Sequence, residues 1–270
     1  MKYKMIVTDL DDTLLNSKKQ VSPIDKEAIM KAQKAGIKFI LASGRPTFAM
    51  KELAQELKLA DYGSYILSFN GSIITECSTG KNITEESLTK EDIHLMYDFS
   101  KKHNTHILTY INDEIISETN SEYIDVEVNL TKMNHRKVED FKKTVDRDAV
   151  KCMLLEEPSY LKKVEEELKK EYGNKYSLAI SKPFFLEVTK LGVDKGTAVK
   201  KLADILGIKI EEVIAAGDSF NDLPMLKAAG TSIAVANAQP EIKEIVDFVV
   251  SSNDEGGMAE LINKFIFTKN

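Results

Sequence analysis

Three features of this 270-residue chain predict an α/β fold, a doubly wound parallel sheet interrupted by an inserted α+β domain. At both ends of the chain, short apolar runs alternate with amphipathic helical stretches, the pattern of βαβ units. Polar clusters recur where those runs stop, which in an open α/β sheet is where ligands bind. Between the two ends the alternation gives way to helices and paired strands. The expected architecture is a Rossmann-like core of residues 1–82 and 191–270, with the second domain inserted over residues 83–190.

The first run, Met5-Ile6-Val7-Thr8, leads into Asp9-Leu10-Asp11-Asp12-Thr13 and reads as a buried strand of a parallel sheet. Carboxylates packed this tightly need a cation, a proton or hydrogen-bond donors to compensate them. Taken alone, the segment is also readable as a strand that turns, through an acidic loop, into a helix. Ser22-Pro23 then marks a helix start, with Asp25 at capping-box spacing, and Gly36 stops that helix. A strand over residues 37–42 ends in Ser43-Gly44-Arg45-Pro46, and a helix follows over 47–57. Residues 65–69 form a third strand, with Asn70-Gly71 as a two-residue hairpin turn into residues 73–75.

In the insertion, Thr89 caps a helix over 89–103, and strands over 105–110 and 114–118 turn at Asn112-Asp113. A helix over 121–129, a strand over 150–155 and a helix over 158–172 follow, while the polar stretch 135–147 carries no clear period. Strands over 176–180 and 184–189 turn at Ser181-Lys182-Pro183. The first pattern then resumes. A helix over 194–206 is followed by a strand over 213–216 ending at Gly217-Asp218, and then a helix over 221–229. Strands over 232–236 and 248–250, with helices over 239–246 and 258–267, complete the core.

A net charge of −6 with no long Lys/Arg block argues against a nucleic-acid partner held by phosphate neutralisation. No stretch reaches the length of a membrane span, and the apolar run behind Lys4 is too short for a signal-peptide core. Cys77 and Cys152 are far apart in apolar or strand-like settings, as expected of reduced thiols in a cytoplasmic protein. His94, His103, His106 and His135 show no metal-ligand spacing, and neither the P-loop nor the dinucleotide glycine motif occurs.

Four polar clusters fall at the ends of core strands or the starts of core helices. They are Asp9-Leu10-Asp11-Asp12-Thr13, Ser43-Gly44-Arg45, Lys195 and Gly217-Asp218-Ser219-Phe220-Asn221-Asp222. Each has a plain structural alternative as a cap, a turn or a surface lysine. Together they bring carboxylates, a hydroxyl and a lysine to one edge of one sheet. The ordered set D-x-D-x-T, S-G-R, Lys and G-D-x-x-N-D resembles the four motifs of the haloacid dehalogenase superfamily. The strings LASGRP, FNG, GVDKG and GDSFND resemble its Cof-type (subclass IIB) phosphatases, close to the bacterial sugar-phosphate phosphatases, and the resemblance spans the whole chain. Asp12 stands where many such proteins have glycine.

The resemblance implies a Mg²⁺-dependent phosphatase of small phosphate monoesters, sugar phosphates in particular, working through an aspartyl-phosphate. Asp9 would be the nucleophile and Asp11 the general acid and base, with crowding among the carboxylates helping to keep one of them protonated. Mg²⁺ would be held by Asp9, Asp218 and the Asp11 carbonyl. Ser43, Gly44, Lys195 and Asn221 would hold the phosphoryl oxygens, with Arg45, Asn70 and Gly71 also contacting substrate. Thr13 would brace the nucleophile loop, and Asp222 would orient Lys195 or a metal-bound water. Asn112, Asp113, Lys182 and Phe184 lie near turns of the inserted cap and are candidates for substrate contact. The expected partner is a small-molecule ester, with the chain a monomer or weak homo-oligomer. The competing readings are a phosphomutase on the same scaffold, a signalling receiver domain, and a non-catalytic metabolite-binding protein.

Overall fold

In the computed structural model, which describes residues 2–268, strand β1 (Met5–Thr8) is buried along its whole length. Four strands follow it: β2 (Lys38–Ala42), β3 (Tyr65–Ser68), β4 (Ile73–Glu76) and β5 (Asn82–Glu85). Next come β6 (His106–Ile111), β7 (Glu114–Ser117), β8 (Asn134–Lys137), β9 (Lys151–Leu155), β10 (Tyr176–Lys182) and β11 (Phe185–Lys190). The last three are β12 (Val213–Gly217), β13 (Thr231–Val235) and β14 (Phe248–Val250).

Among the described residues these strands make two sheets, ordered β14-β13-β12-β1-β2-β3-β4-β5 and β10-β11-β9-β6-β7-β8. The first is parallel from β14 to β3 and turns antiparallel at β4. The chain divides accordingly into two units, one of Met1–Thr84 with Asp194–Asn270 and one of Glu85–Val193, each with its own apolar core.

In the first unit, β1 pairs on one side with β2 and on the other with β12. Consecutive segments therefore lie to one side of β1 and the returning segments to the other, which makes the β1–β12 junction the switch point of the sheet. Thr8 pairs with Ala216, so the residues after both strands leave the sheet side by side.

Helix α1 (Pro23–Lys34) begins as expected: the Ser22 hydroxyl accepts a hydrogen bond from the Asp25 amide at 3.2 Å. The Asp25 carboxylate, however, does not complete a capping box. It accepts the Ser22 hydroxyl (2.6 Å) and, from across the unit, the amide of Ala259 (2.7 Å). Ala259 lies in the helix Gly257–Ile262, so a buried carboxylate ties the first helix to the last.

The predicted elements differ from the observed ones in specific ways. The turn at Asn70-Gly71 is longer than two residues, because Ser68 pairs with Ile73 and a tight helical turn over Phe69–Gly71 occupies the gap. Phe69, Asn70 and Gly71 all have positive φ there. The predicted helix over 221–229 splits into a single turn (Phe220–Asp222) and a helix (Leu223–Ala228), since Pro224 has no N–H to continue the ladder. The stretch over 47–57 divides similarly into Thr47–Met50 and Lys51–Glu56, and the last helix widens into a π turn over Asn263–Phe267.

In the second unit, β10 extends to Lys182 and the turn moves to Pro183-Phe184. The polar stretch after residue 134 contains β8 and a short helix, Phe141–Thr144. Asn112 and Asp113 both have positive φ, as a two-residue hairpin loop requires. Phe184 stacks on Tyr123, with ring centroids 5.3 Å apart. No helix among the described residues is long and apolar enough to cross a membrane.

Replacing Asp25 by Ala leaves the buried Ala259 amide without its acceptor. Urea denaturation is expected to show a loss of about 1–3 kcal/mol, the cost of an unpaired buried donor; an unchanged midpoint would show that the tie between the first and last helices is dispensable.

Candidate active site

Asp9 continues the pairing of β1 by one residue. Its amide donates to the Ala216 carbonyl at 2.9 Å, and its own carbonyl accepts the Thr8 hydroxyl at 2.8 Å. This anchoring leaves the Asp9 side chain buried at the carboxyl end of the strand. Asp12 then takes a left-handed conformation (φ 62°), a geometry that favours glycine. The buried Thr13 hydroxyl donates to Asp218 Oδ1 at 2.7 Å, clamping the loop after β1 to the loop after β12.

Lys195 is the first residue of the helix Lys195–Leu206 and is fully buried. Its ammonium donates to Asp9 Oδ1 and to Asp222 Oδ1, both at 2.6 Å. The second oxygen of Asp222 accepts the amides of Asp218 (3.0 Å) and Ser219 (3.2 Å). Two glycines make this approach possible. A side chain at Gly217 would strike the Asp222 carboxylate, and one at Gly71 (φ 98°) would strike the Asp194 carbonyl and Ala198. Gly71 therefore lets the loop after β3 pack against the first turn of the helix that carries Lys195.

One carboxylate oxygen from each of Asp9, Asp218 and Asp222 lies within 4.8 Å of the other two. Burial pushes the Asp9 carboxyl up to about 7; the Lys195 charge opposes this, while Asp222 and Asp218 add to it. Asp218 is raised to about 6, again by burial first, against the Thr13 hydrogen bond and with the charges of Asp222 and Asp12. Burial alone would lower the Lys195 ammonium, but the two carboxylates outweigh it and hold the group above its ordinary value. Three carboxylates against one ammonium leave an excess of negative charge. Among the described residues no hydrogen bond reaches the second oxygen of Asp9 or of Asp218. An all-oxygen donor set of this charge fits a hard divalent cation.

Asp11 sits in the opposite environment. Arg45 grips its carboxylate with both Nε (2.8 Å to Oδ2) and Nη2 (2.6 Å to Oδ1), and Lys19 Nζ lies 3.4 Å from Oδ1. Burial raises the Asp11 carboxyl, but the Arg45 hydrogen bonds and charge, then Lys19, bring it below the usual value. Burial, with the neighbouring carboxylates adding to it, thus raises Asp9 and Asp218, while Asp11, the expected acid, is held ionised.

Ser43 is buried, with its hydroxyl accepting the Arg45 amide at 3.2 Å and its carbonyl accepting the Asn70 amide at 2.9 Å. Gly44 lies against the Asn70 side chain, whose Oδ1 is buried without a hydrogen-bond partner. Asn221 is exposed, and its amide oxygen accepts the Ser219 hydroxyl at 2.6 Å. The structure therefore brings Asp9, Thr13, Lys195, Asp218 and Asp222 into one bonded cluster, and Asp11 with Arg45 into a second. Ser43, Gly44 and Asn70 form the adjoining loop contact. Sequence reasoning missed Lys19, and also Asn237, whose Nδ2 donates to the Asp12 carbonyl at 2.7 Å. Neither residue belongs to a spacing that could have singled it out.

A cavity of about 310 Å³ in the same unit lies elsewhere, lined by Thr47, Ala54, Ile66, Thr75 and Cys77 among others, and holds none of the charged cluster. Burial, with the Glu76 charge, pushes the Cys77 thiol up to about 12, and burial raises the Cys152 thiol as well, so neither is poised as a thiolate.

The sequence model of the haloacid dehalogenase-like hydrolases matches residues 6–262, and the chain belongs to that family. A haloacid dehalogenase-like hydrolase of Bacteroides thetaiotaomicron, known from its crystal structure, is 38% identical, with a TM-score of 0.89 covering 97% of this chain and 99% of that one. YxeH of Bacillus subtilis is 33% identical over 99% of this chain and 100% of its own length. YcsE of the same organism, a 5-amino-6-(5-phospho-D-ribitylamino)uracil phosphatase by name, is 31% identical over 97% of this chain and 96% of its own. The chain is accordingly a phosphatase of this family.

Substituting Lys195 by Met strands Asp9 and Asp222 as buried, unpaired carboxylates. The variant is expected to lose about 3–5 kcal/mol in urea unfolding, and adding Asp222→Asn should recover part of that loss. If the double variant is no more stable than the single one, the buried pairing is not what stabilises the cluster.

Proposed function

We propose that this protein is a Mg²⁺-dependent phosphatase of small phosphate monoesters, sugar phosphates foremost, acting through an aspartyl-phosphate on Asp9. The observation that carries this reading is the buried Lys195 bridging Asp9 and Asp222, beside Asp218, at the switch point of the sheet. A carboxylate fixed at the end of a strand, with one oxygen on an ammonium and the other unbonded, is positioned to attack phosphorus in line.

In this reading an Asp9 oxygen forms a bond to phosphorus as the ester P–O bond breaks. Asp11, ionised while it is paired with Arg45 and Lys19, takes up a proton from solvent once it leaves them and gives that proton to the leaving alkoxide. Asp11 then accepts a proton from the water that hydrolyses the aspartyl-phosphate, restoring Asp9 and releasing inorganic phosphate. Lys195, the Ser43 hydroxyl, the Gly44 amide and the Asn221 amide hold the phosphoryl oxygens, while Thr13 and Asp222 keep Asp218 and Lys195 in place. The Asp9 and Asp218 carboxylates and the Asp11 carbonyl would hold Mg²⁺, with Asp222 excluded because both its oxygens are engaged. When bound, the cation supplies the positive charge that three carboxylates and a phosphate dianion need.

The substrate assignment is supported by YcsE, whose named substrate carries its phosphate on a ribityl chain. Selection among monoesters is assigned to the inserted domain and to Arg45, Asn70 and Gly71, and the location to the cytoplasm.

Hydrolysis of p-nitrophenyl phosphate is expected to require Mg²⁺, to stop in EDTA, and to fall on the order of a thousandfold or more in Asp9→Asn. Asp11→Asn should lose turnover of alkyl esters, whereas Asp12→Gly should remain active because glycine suits the φ of 62° at that position. Metal-independent hydrolysis or an unimpaired Asp9→Asn would overturn the mechanism. Retention of phosphate on the sugar without phosphate release would favour the mutase.

A further inference from the structure

Two cations converge on the Asp11 carboxylate, although in the mechanism above that group has to leave them to serve the ester oxygen. Arg45 binds both Asp11 oxygens in the fork geometry of a guanidinium on a planar two-oxygen anion. Lys19 reaches the same carboxylate at 3.4 Å and Asp12 Oδ1 at 3.2 Å.

Lys19 is held there by a built turn. Its amide donates to the Asn16 carbonyl at 2.8 Å, and Asn16 Oδ1 accepts the amides of Lys18 and Gln20, both at 3.0 Å. Its backbone is left-handed, with φ 58°. The Asp11 side chain retains 41% of its exposure, so another group can reach its place from solvent.

We infer that Arg45 and Lys19 form a carboxylate cradle, filled here by Asp11 and taken over in turnover by a carboxylate of the substrate. The inference rests on the phosphatase reading and narrows its substrate class to phosphate monoesters of hydroxy acids and sugar acids. The chemistry is an exchange of like for like. A substrate carboxylate satisfies the same guanidinium fork and the same ammonium, and Asp11 is released without leaving either cation unpaired. No covalent bond changes in this exchange. Because Asp11 must reach the ester oxygen, the cradle lies within one side chain of it. The matching carboxylate therefore sits on, or next to, the carbon that bears the phosphate. In these terms Arg45 and Lys19 are specificity and positioning residues, and the bond-breaking chemistry stays with Asp9 and Asp11.

2-Phosphoglycolate and ethyl phosphate test this directly, since they differ by a carboxylate in place of a methyl group. The ratio of their kcat/KM values should favour 2-phosphoglycolate by at least about tenfold in the native enzyme, the worth of one or two charge-assisted hydrogen bonds. Lys19→Ala and Arg45→Lys should each collapse that ratio, and Lys19→Arg should restore it; a role confined to holding the loop would move both substrates together. A native ratio near one, or a ratio unmoved by Lys19→Ala, overturns the cradle. So does hydrolysis of p-nitrophenyl phosphate with no turnover of 2-phosphoglycolate, which leaves the phosphatase reading standing. Failure to hydrolyse p-nitrophenyl phosphate at all overturns that reading, and the cradle with it.

Discussion

One ammonium buried between two carboxylates sets the terms for the first unit. Removing Lys195, Asp9 and Asp222 from water is costly, and the cost is offset only if each is held at hydrogen-bond distance with its remaining oxygens engaged or otherwise compensated. Much of the local architecture meets that condition. Gly217 has no side chain where the Asp222 carboxylate must lie, Gly71 lets the loop after β3 approach the helix that begins at Lys195, and Thr13 fastens Asp218. The sheet order serves the same end, since only the adjacency of β1 and β12 brings Asp9 beside the Gly217–Asp222 loop.

The acids of one short loop consequently have different chemistries. Asp9 is buried, shares a single ammonium with Asp222 and is raised toward neutrality, whereas Asp11, two residues on, has a guanidinium to itself and is lowered. Sequence proximity would have predicted the same environment for both. Strand alternation would put residues two apart on one face, but β1 ends at Thr8 and the chain turns from Leu10, so Asp9 meets Lys195 and Asp11 meets Arg45.

Most of the sheet was legible in the sequence because its central strands are apolar on both faces and end in turn-forming residues, as β1, β2 and β12 do. The strands that escaped detection, β5 and β8, lie at sheet edges and are mostly exposed and polar, so no hydrophobic period marks them. The site was legible as a set of motifs and opaque as a set of contacts. Nothing in the spacing of Asp11 and Arg45 shows that they bond, and Lys19 sits in a polar stretch like any surface lysine. The direction in which Asp11 is shifted could not be read either, since it depends on those two partners. The turn at Asn70-Gly71 departs from a two-residue hairpin because Phe69, a bulky apolar residue, adopts the left-handed conformation normally left to glycine and asparagine.

The interrupted core also bears on how the chain is made. A ribosome releases β1 with its acidic loop long before β12, Lys195 or the Gly217–Asp222 loop exists, while the inserted unit emerges as one continuous stretch that carries its own core. During that interval the central strand of the future sheet has only β2 beside it, and Asp9 is an ordinary solvated acid with nothing to bury it. Asp9 acquires its buried environment only when Lys195 and the Gly217–Asp222 loop come to lie beside β1. The cluster is thereby deferred until the Gly217–Asp222 loop has been made, and a chain cut before that loop lacks the residues that assemble it.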